Sequence, residues 1–136
     1  MSNQQDAHVP QKILVTGGCG FIGSNFVRHL LETDDQASVV NLDALTYCGN
    51  LENLRDVERR FADRYHFIHG DIRDRDTVRK AMVECDSVAH FAAESHVDRS
   101  ITSGHDFITT NVEGTYVLLE EARLRGVGPA PFAVRP

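Results

Sequence analysis

The feature that most restricts this chain is the run Thr16-Gly17-Gly18-Cys19-Gly20-Phe21-Ile22-Gly23, with glycines at 17, 20 and 23 directly after a short apolar segment. Residues 12–16 (KILVT) are apolar without alternation and β-branched in character, the pattern of a strand covered on both faces. From Phe21 to about Glu32, Phe21, Ile22, Phe26, Val27, Leu30 and Leu31 recur at helical spacing, with Asn25, Arg28 and His29 between them, which predicts an amphipathic helix lying on a sheet. A strand that becomes a helix through glycines lets a ligand approach the backbone closely and aims free amides at it, the requirement for holding a pyrophosphate.

A glycine turn standing by itself is as readily structural as functional, and the surrounding pattern decides. Asp43 ends the next apolar segment, about 20 residues beyond Gly23, where a carboxylate meets the ribose of an adenosine. It would accept both ribose hydroxyls and repel a 2′-phosphate, and no Arg stands among the eleven residues after it to reverse that preference. The expected cofactor is NAD. Asp71 and Ile72 follow the third predicted strand, where an Asp can reach the adenine amine and an Ile can pack on its ring, although Asp is equally a turn residue.

Further strands are predicted over 38–42 (SVVNL), 65–69 (YHFIH) and 87–92 (SVAHFA). Leu51, Leu54 and Val57 suggest a short helix, Asp74 can cap one running through Val83, and a longer one is predicted from about His105 to Arg125. Phe107, Ile108, Val112, Leu118, Leu119 and Ala122 would be its apolar face and Gly126 its end. Strands alternating with helices predict an α/β chain, a Rossmann-like doubly wound parallel sheet, incomplete at about four strands. The domain reading is a disordered leader over 1–11, a dinucleotide-binding domain over 12–126, and an irregular tail over 127–136 with three prolines in its last eight residues.

The formal charge of -6 and scattered cations give no basic footprint for nucleic acid or an anionic membrane. Cys19, Cys48 and Cys85 are odd in number and widely spaced, which suggests neither a disulfide framework nor a zinc site and fits a reducing cytoplasm. The polar first ten residues do not read as a signal peptide, and no apolar run approaches a membrane span. Cys19 reads as a small side chain in the loop, although helix-start amides beside it could lower its pKa. Ser95, His96 and Asp98 are too close in sequence to converge as a hydrolase triad. His96, Asp98 and Arg99 suit a solvated loop or a place near a substrate. His66 and His69 would fall on opposite faces of a strand, a poor start for a metal site with Asp71.

Taken in order, TGGCGFIGS, NLDALTYCGNLENL, GDIRD, HFAAESHVDRSI and FITTNVEGTYVLLE resemble the extended short-chain dehydrogenases of the NAD-dependent epimerase/dehydratase type, and within them the nucleotide-sugar 4,6-dehydratases. The resemblance covers residues 12 to about 125. It implies that Phe21 and Ile22 border the pyrophosphate, that Asp43, Ala44, Leu45 and Thr46 hold the adenosine ribose, and that Asp71 and Ile72 touch adenine. It implies that Phe91, Ala92, Ala93, Glu94 and Ser95 line the central and nicotinamide side, that Ser95 is shared with a nucleotide-sugar substrate, and that Thr110 is another cofactor contact. Cys19 and Cys48 stand where such enzymes usually carry small residues such as Ala. A homodimer is also implied.

The same family carries a Tyr-x-x-x-Lys motif and a Thr-Asp-Glu run for its acid–base steps. The chain has two lysines, Lys12 and Lys80, preceded four residues earlier by His8 and Asp76, and it contains no Asp-Glu pair. No catalytic residue is therefore assigned within it, and the expectation is a cofactor-binding part, a truncated chain that does not turn over by itself. A 4-epimerase or decarboxylase of the same superfamily, or a non-catalytic NAD-binding module, are the competing readings.

Overall fold

A computed structural model describes residues 9–46, 49–94 and 104–127. Among them β1 (Lys12–Thr16) leads through the glycine loop into α1 (Phe21–Thr33), followed by β2 (Ser38–Asp43). A 3₁₀ turn (Leu51–Leu54) runs into α2 (Arg55–Arg60), β3 (Tyr65–His69), α3 (Arg75–Ala81) and β4 (Ser87–His90). Helix α4 (Gly104–Ile108) opens into a π segment (Thr109–Gly114) and closes again as α5 (Thr115–Leu124). The described strands are all parallel, in the order β3-β2-β1-β4.

Period-2 alternation along these strands sorts the apolar residues onto two faces, and helices cover both. Leu14, Val40, Leu42 and Val88 face one layer with Val78, Ala81 and Met82 of the α3 region and Val117, Leu118 and Ala122 of α5. Ile13, Val15, Val39 and Tyr65 face the other, with Val27 and Leu31 of α1, Leu54, and Val57 of α2. This is the doubly wound α/β arrangement. Leu14 and Val15, neighbours in sequence, are each fully buried, but in different layers. Replacing either by Ala removes contacts that no relaxation can restore, at a cost of about 2–4 kcal/mol.

Some elements differ from the expectation. Strand β4 stops at His90 rather than Ala92, because the Ala92 N–H turns to the Thr16 hydroxyl at 3.3 Å. Helix α3 is capped by Asp74, which accepts from the Asp76 and Thr77 amides, but it ends at Ala81 rather than Val83, and Glu84 takes φ +61°. Phe21 and Ile22 do not face the sheet; they stand 83% and 66% exposed at the start of α1, whose buried positions are Gly23, Ser24, Val27 and Leu31.

The long predicted helix is interrupted. Within its π segment the Asn111 side chain faces Glu94, and the Thr115 hydroxyl donates to the Asn111 carbonyl at 2.7 Å, so side chains compete with the regular backbone ladder. The wider turn shifts the helical phase. Ile108, Val112 and Leu119, expected to face the core, are exposed, while Thr109, Gly114, Val117, Leu118, Glu121 and Ala122 are buried. Glu121 is only 1% exposed and receives Arg75 at 3.0 Å and Arg79 at 3.3 Å, which ties α5 to α3. Among the described residues, no helix is long and apolar enough to cross a membrane, and no cluster of His, Cys, Asp and Glu could hold a metal.

The candidate dinucleotide site

Chain order switches sides of β1 between β3 and β4, and the crevice outside the carboxyl ends of the strands at such a switch point is where open α/β sheets take ligands. A cleft of about 310 Å³ lies there. Its floor is the glycine loop, and the loop's geometry follows from what a Cβ would meet. Gly17 takes φ +69°, and a Cβ on it would come within 2.6 Å of the Ala92 backbone nitrogen, so the turn passes under the β4 segment only without a side chain. A Cβ on Gly23 would collide with the Gly17 carbonyl oxygen, which holds α1 against the loop. Gly20 differs: nothing lies closer than 3.4 Å to its hypothetical Cβ, and the residue lines the cleft. The protein interior does not require glycine there, whereas close approach of a ligand to the backbone would.

No side chain caps the start of α1. Its first-turn amides and the bare Gly20 backbone therefore suit an anion such as a pyrophosphate. Asp43 sits across from them, 7% exposed, its Oδ2 accepting the Cys19 N–H at 2.8 Å and its Oδ1 accepting the Leu45 N–H at 2.8 Å. Leu45 reaches that position with φ +53°, a left-handed conformation unusual for a branched side chain. Each carboxylate oxygen keeps a further lone pair for a ligand hydroxyl.

Gly17, Gly20, Asp43, Ala44 and Thr46 line the cleft, as do Asp71, Ile72, Phe91, Ala92, Ala93 and Thr110. The structure thus brings together most of the residues that the sequence singles out. Gly23 lies beneath the loop, and Phe21, Ile22 and Leu45 do not line the cleft. Ser95, His96, Asp98, Arg99 and Cys48 lie outside the described residues. Asp71 is paired with Arg73 at 2.7 Å, and this hydrogen bond holds its carboxyl below the usual carboxylate range. Ile72 is 4% exposed and fills space against Gly114, so only an edge of it reaches the cleft.

Glu94 lines the cleft as the resemblance implies, whereas several other lining residues escape the sequence reading: Gly49, Gly70, Arg73 and Asp106. Asn41 supports the site from below. It is fully buried in β2, accepts the Gly18 N–H at 3.0 Å, and donates to the Tyr65 hydroxyl at 3.0 Å and toward the Cys19 sulfur at 3.4 Å. Its signal is one polar residue inside the apolar run SVVNL, which has to find partners once buried. Cys19 itself is fully buried, and burial, reinforced by the Asp43 charge, pushes its thiol up to about 11. The prospect of a lowered pKa at Cys19 is therefore overturned, because desolvation and a neighbouring carboxylate both oppose the thiolate.

Known proteins share this arrangement. The chain is 55% identical over 114 residues to a dTDP-glucose 4,6-dehydratase of Escherichia coli, a match that covers 82% of the chain and 31% of that protein. The chain thus spans about a third of the length of the curated relatives it matches. Among solved structures, the dTDP-glucose 4,6-dehydratase DesIV of Streptomyces venezuelae, determined with NAD bound, superposes with a TM-score of 0.79 at 48% identity, covering 86% of this chain and 37% of that one. A UDP-glucose 4-epimerase of Thermus thermophilus in complex with NAD matches at a TM-score of 0.72 and 35% identity, over 85% of this chain and 35% of that one. The family model described as GDP-mannose 4,6 dehydratase matches residues 14–132, and the chain belongs to that family.

Proposed function

We propose that this chain holds NAD in the cleft and is the cofactor-binding part of a nucleotide-sugar 4,6-dehydratase that converts dTDP-glucose to its 4-keto-6-deoxy product. The observation that carries this reading is the pairing of an open Gly20 with a buried Asp43 on one cleft, in a chain 55% identical to a dTDP-glucose 4,6-dehydratase. Identity to UDP-glucose 4-epimerases is lower, 30–35%, which favours dehydratase over epimerase.

In this reading Gly17 and Gly20 let the pyrophosphate reach the backbone, Gly23 packs the helix so that its amides point there, and Phe21 and Ile22 flank it. Asp43 takes the ribose hydroxyls, with Ala44, Leu45 and Thr46 beside it. Asp71 and Ile72 take the adenine edge and face. Phe91, Ala92, Ala93 and Thr110 form the wall toward the nicotinamide, and Ser95 is shared with the sugar. Bound NAD supplies the hydride acceptor and donor for oxidation at C4 and reduction at C6. The chain's residues position and desolvate it; they include neither Tyr-x-x-x-Lys nor Asp-Glu, so binding without turnover is expected.

The reading assigns residues 12–126 to the cofactor unit, with 1–11 as a leader and 127–136 as a tail, and a cytoplasmic location. It also assigns a homodimer. Ile108, Val112, Tyr116 and Leu119 support that assignment as an exposed apolar stripe along the α4–α5 helix. The test is to incubate the purified chain with NAD and dTDP-glucose, following cofactor binding by calorimetry and 4-keto sugar by its absorbance in alkali. Saturable NAD binding with no keto sugar is expected; absence of NAD binding overturns the reading, and keto-sugar formation overturns the claim that the acid–base groups lie elsewhere.

A further inference from the structure

A line of polar contacts runs behind the cleft that cofactor contact alone does not explain. Thr16, fully buried at the end of β1, accepts the Ala92 N–H at 3.3 Å, and its hydroxyl lies 2.6 Å from Nδ1 of His90. His90 Nε2 lies 3.1 Å from the Thr115 hydroxyl, which donates to the Asn111 carbonyl at 2.7 Å. The Asn111 side chain then brackets Glu94, its Oδ1 accepting the Glu94 N–H at 2.8 Å and its Nδ2 donating to the Glu94 carbonyl at 2.9 Å.

Proton counting gives every link one direction. Thr115 has a single hydroxyl proton and gives it to Asn111, so it accepts from His90 Nε2–H. A neutral imidazole with its proton on Nε2 must accept at Nδ1, so the Thr16 hydroxyl donates there and its oxygen remains free for the Ala92 amide. The network itself assigns this tautomer. Its two ends hold Ala92 and Glu94, either side of the exposed Ala93, and its middle passes through the π segment.

We infer that His90 is a positioning residue for the cleft wall Phe91–Glu94 and so governs binding of the half of the dinucleotide beyond the pyrophosphate. It touches no ligand; it acts through Thr16 on Ala92 and through Thr115 and Asn111 on Glu94. This rests on the proposed NAD site. A ligand confined to the adenosine side, such as AMP, meets Asp43 and Asp71 and does not need that wall.

The experiment titrates NAD and AMP against the full 136-residue chain and its His90→Ala and His90→Gln variants. His90→Ala is expected to weaken NAD about tenfold while AMP changes less than about twofold, the scale of one lost positioning hydrogen bond. His90→Gln, which keeps a donor toward Thr115, recovers part of the NAD affinity. An equal loss for both ligands, or no loss of NAD, overturns the inference with the NAD site intact. Failure of the unaltered chain to bind NAD overturns the site, and the inference with it. Should His90→Ala not fold, Thr115→Val cuts the same link with nearly unchanged shape, and the same split between NAD and AMP is required of it.

Discussion

The Asp43 carboxylate accepts the backbone N–H of Cys19 at 2.8 Å, joining the residue proposed to read the ribose to the loop proposed to hold the pyrophosphate. One side chain thereby ties two parts of the site, and its other oxygen, on Leu45, ties a third. Asp43→Asn keeps one acceptor but loses the charge and the second acceptor. We expect NAD affinity to fall by a factor of about 10–100, as when a charged hydrogen-bond partner is removed, and the preference over NADP to narrow. Isothermal titration with both cofactors measures it.

The glycines separate folding from binding. Gly20→Ala adds a methyl group with nothing nearer than 3.4 Å, so the melting temperature should stay within about 2 °C while NAD affinity collapses, since Gly20 lines the cleft where the pyrophosphate is proposed to meet the backbone. Gly23→Ala drives a methyl onto the Gly17 carbonyl and should destabilise the fold by about 2–4 kcal/mol. Thermal melts of the two variants, read beside NAD titrations, should therefore diverge.

Much of this arrangement is legible in the sequence. The four strands declare themselves as short apolar runs, and Gly17, Gly20, Gly23 and Asp43 carry a spacing that few other structures need. What is not legible has a common cause: it depends on partners distant in sequence. Asn41 matters because Gly18 and Tyr65 reach it after folding. The π segment, in which Asn111 pairs with Glu94, is not encoded by helical periodicity, and Ile108, Val112 and Leu119, apolar by spacing, stand exposed. Phe21 and Ile22 fit the apolar stripe by spacing, yet in the first turn of α1 it is Gly23 and Ser24, packed against the glycine loop, that are buried, and the two apolar side chains stand exposed.

His90 should leave a mark on acid stability. Burial lowers its pKa below the ordinary imidazole value of about 6.5. Above that value the ring is neutral in both folded and unfolded chains; below it the unfolded chain takes up a proton first, so stability falls as pH drops toward the folded pKa. Melting temperatures followed from pH 7.5 to 5 should decline in the unaltered chain and decline less in His90→Gln.

Glu121 acts in a lower window. Hydrogen bonds from Arg79 and Arg75 hold its carboxyl below the usual range, so its contribution is present at neutral pH and is lost as pH falls through the folded value, below about 4.3. Glu121→Ala should lower the melting temperature by several degrees at pH 7 by releasing α5 from α3, and the difference from the unaltered chain should shrink in acid.

Thiol chemistry tests the interior of the loop. With its pKa raised to about 11 and no exposure, Cys19 should resist iodoacetamide at pH 8 in the folded chain and react after denaturation. Peptide mapping by mass spectrometry distinguishes the two states.

The most direct test of the NAD site is a paired titration of NAD and NADP into the unaltered chain and into Gly20→Ala. Saturable binding at one site, tighter for NAD than for NADP and lost in a Gly20→Ala variant that melts normally, is the predicted result. NADP binding as tightly as NAD, or Gly20→Ala binding NAD unchanged, would contradict the site.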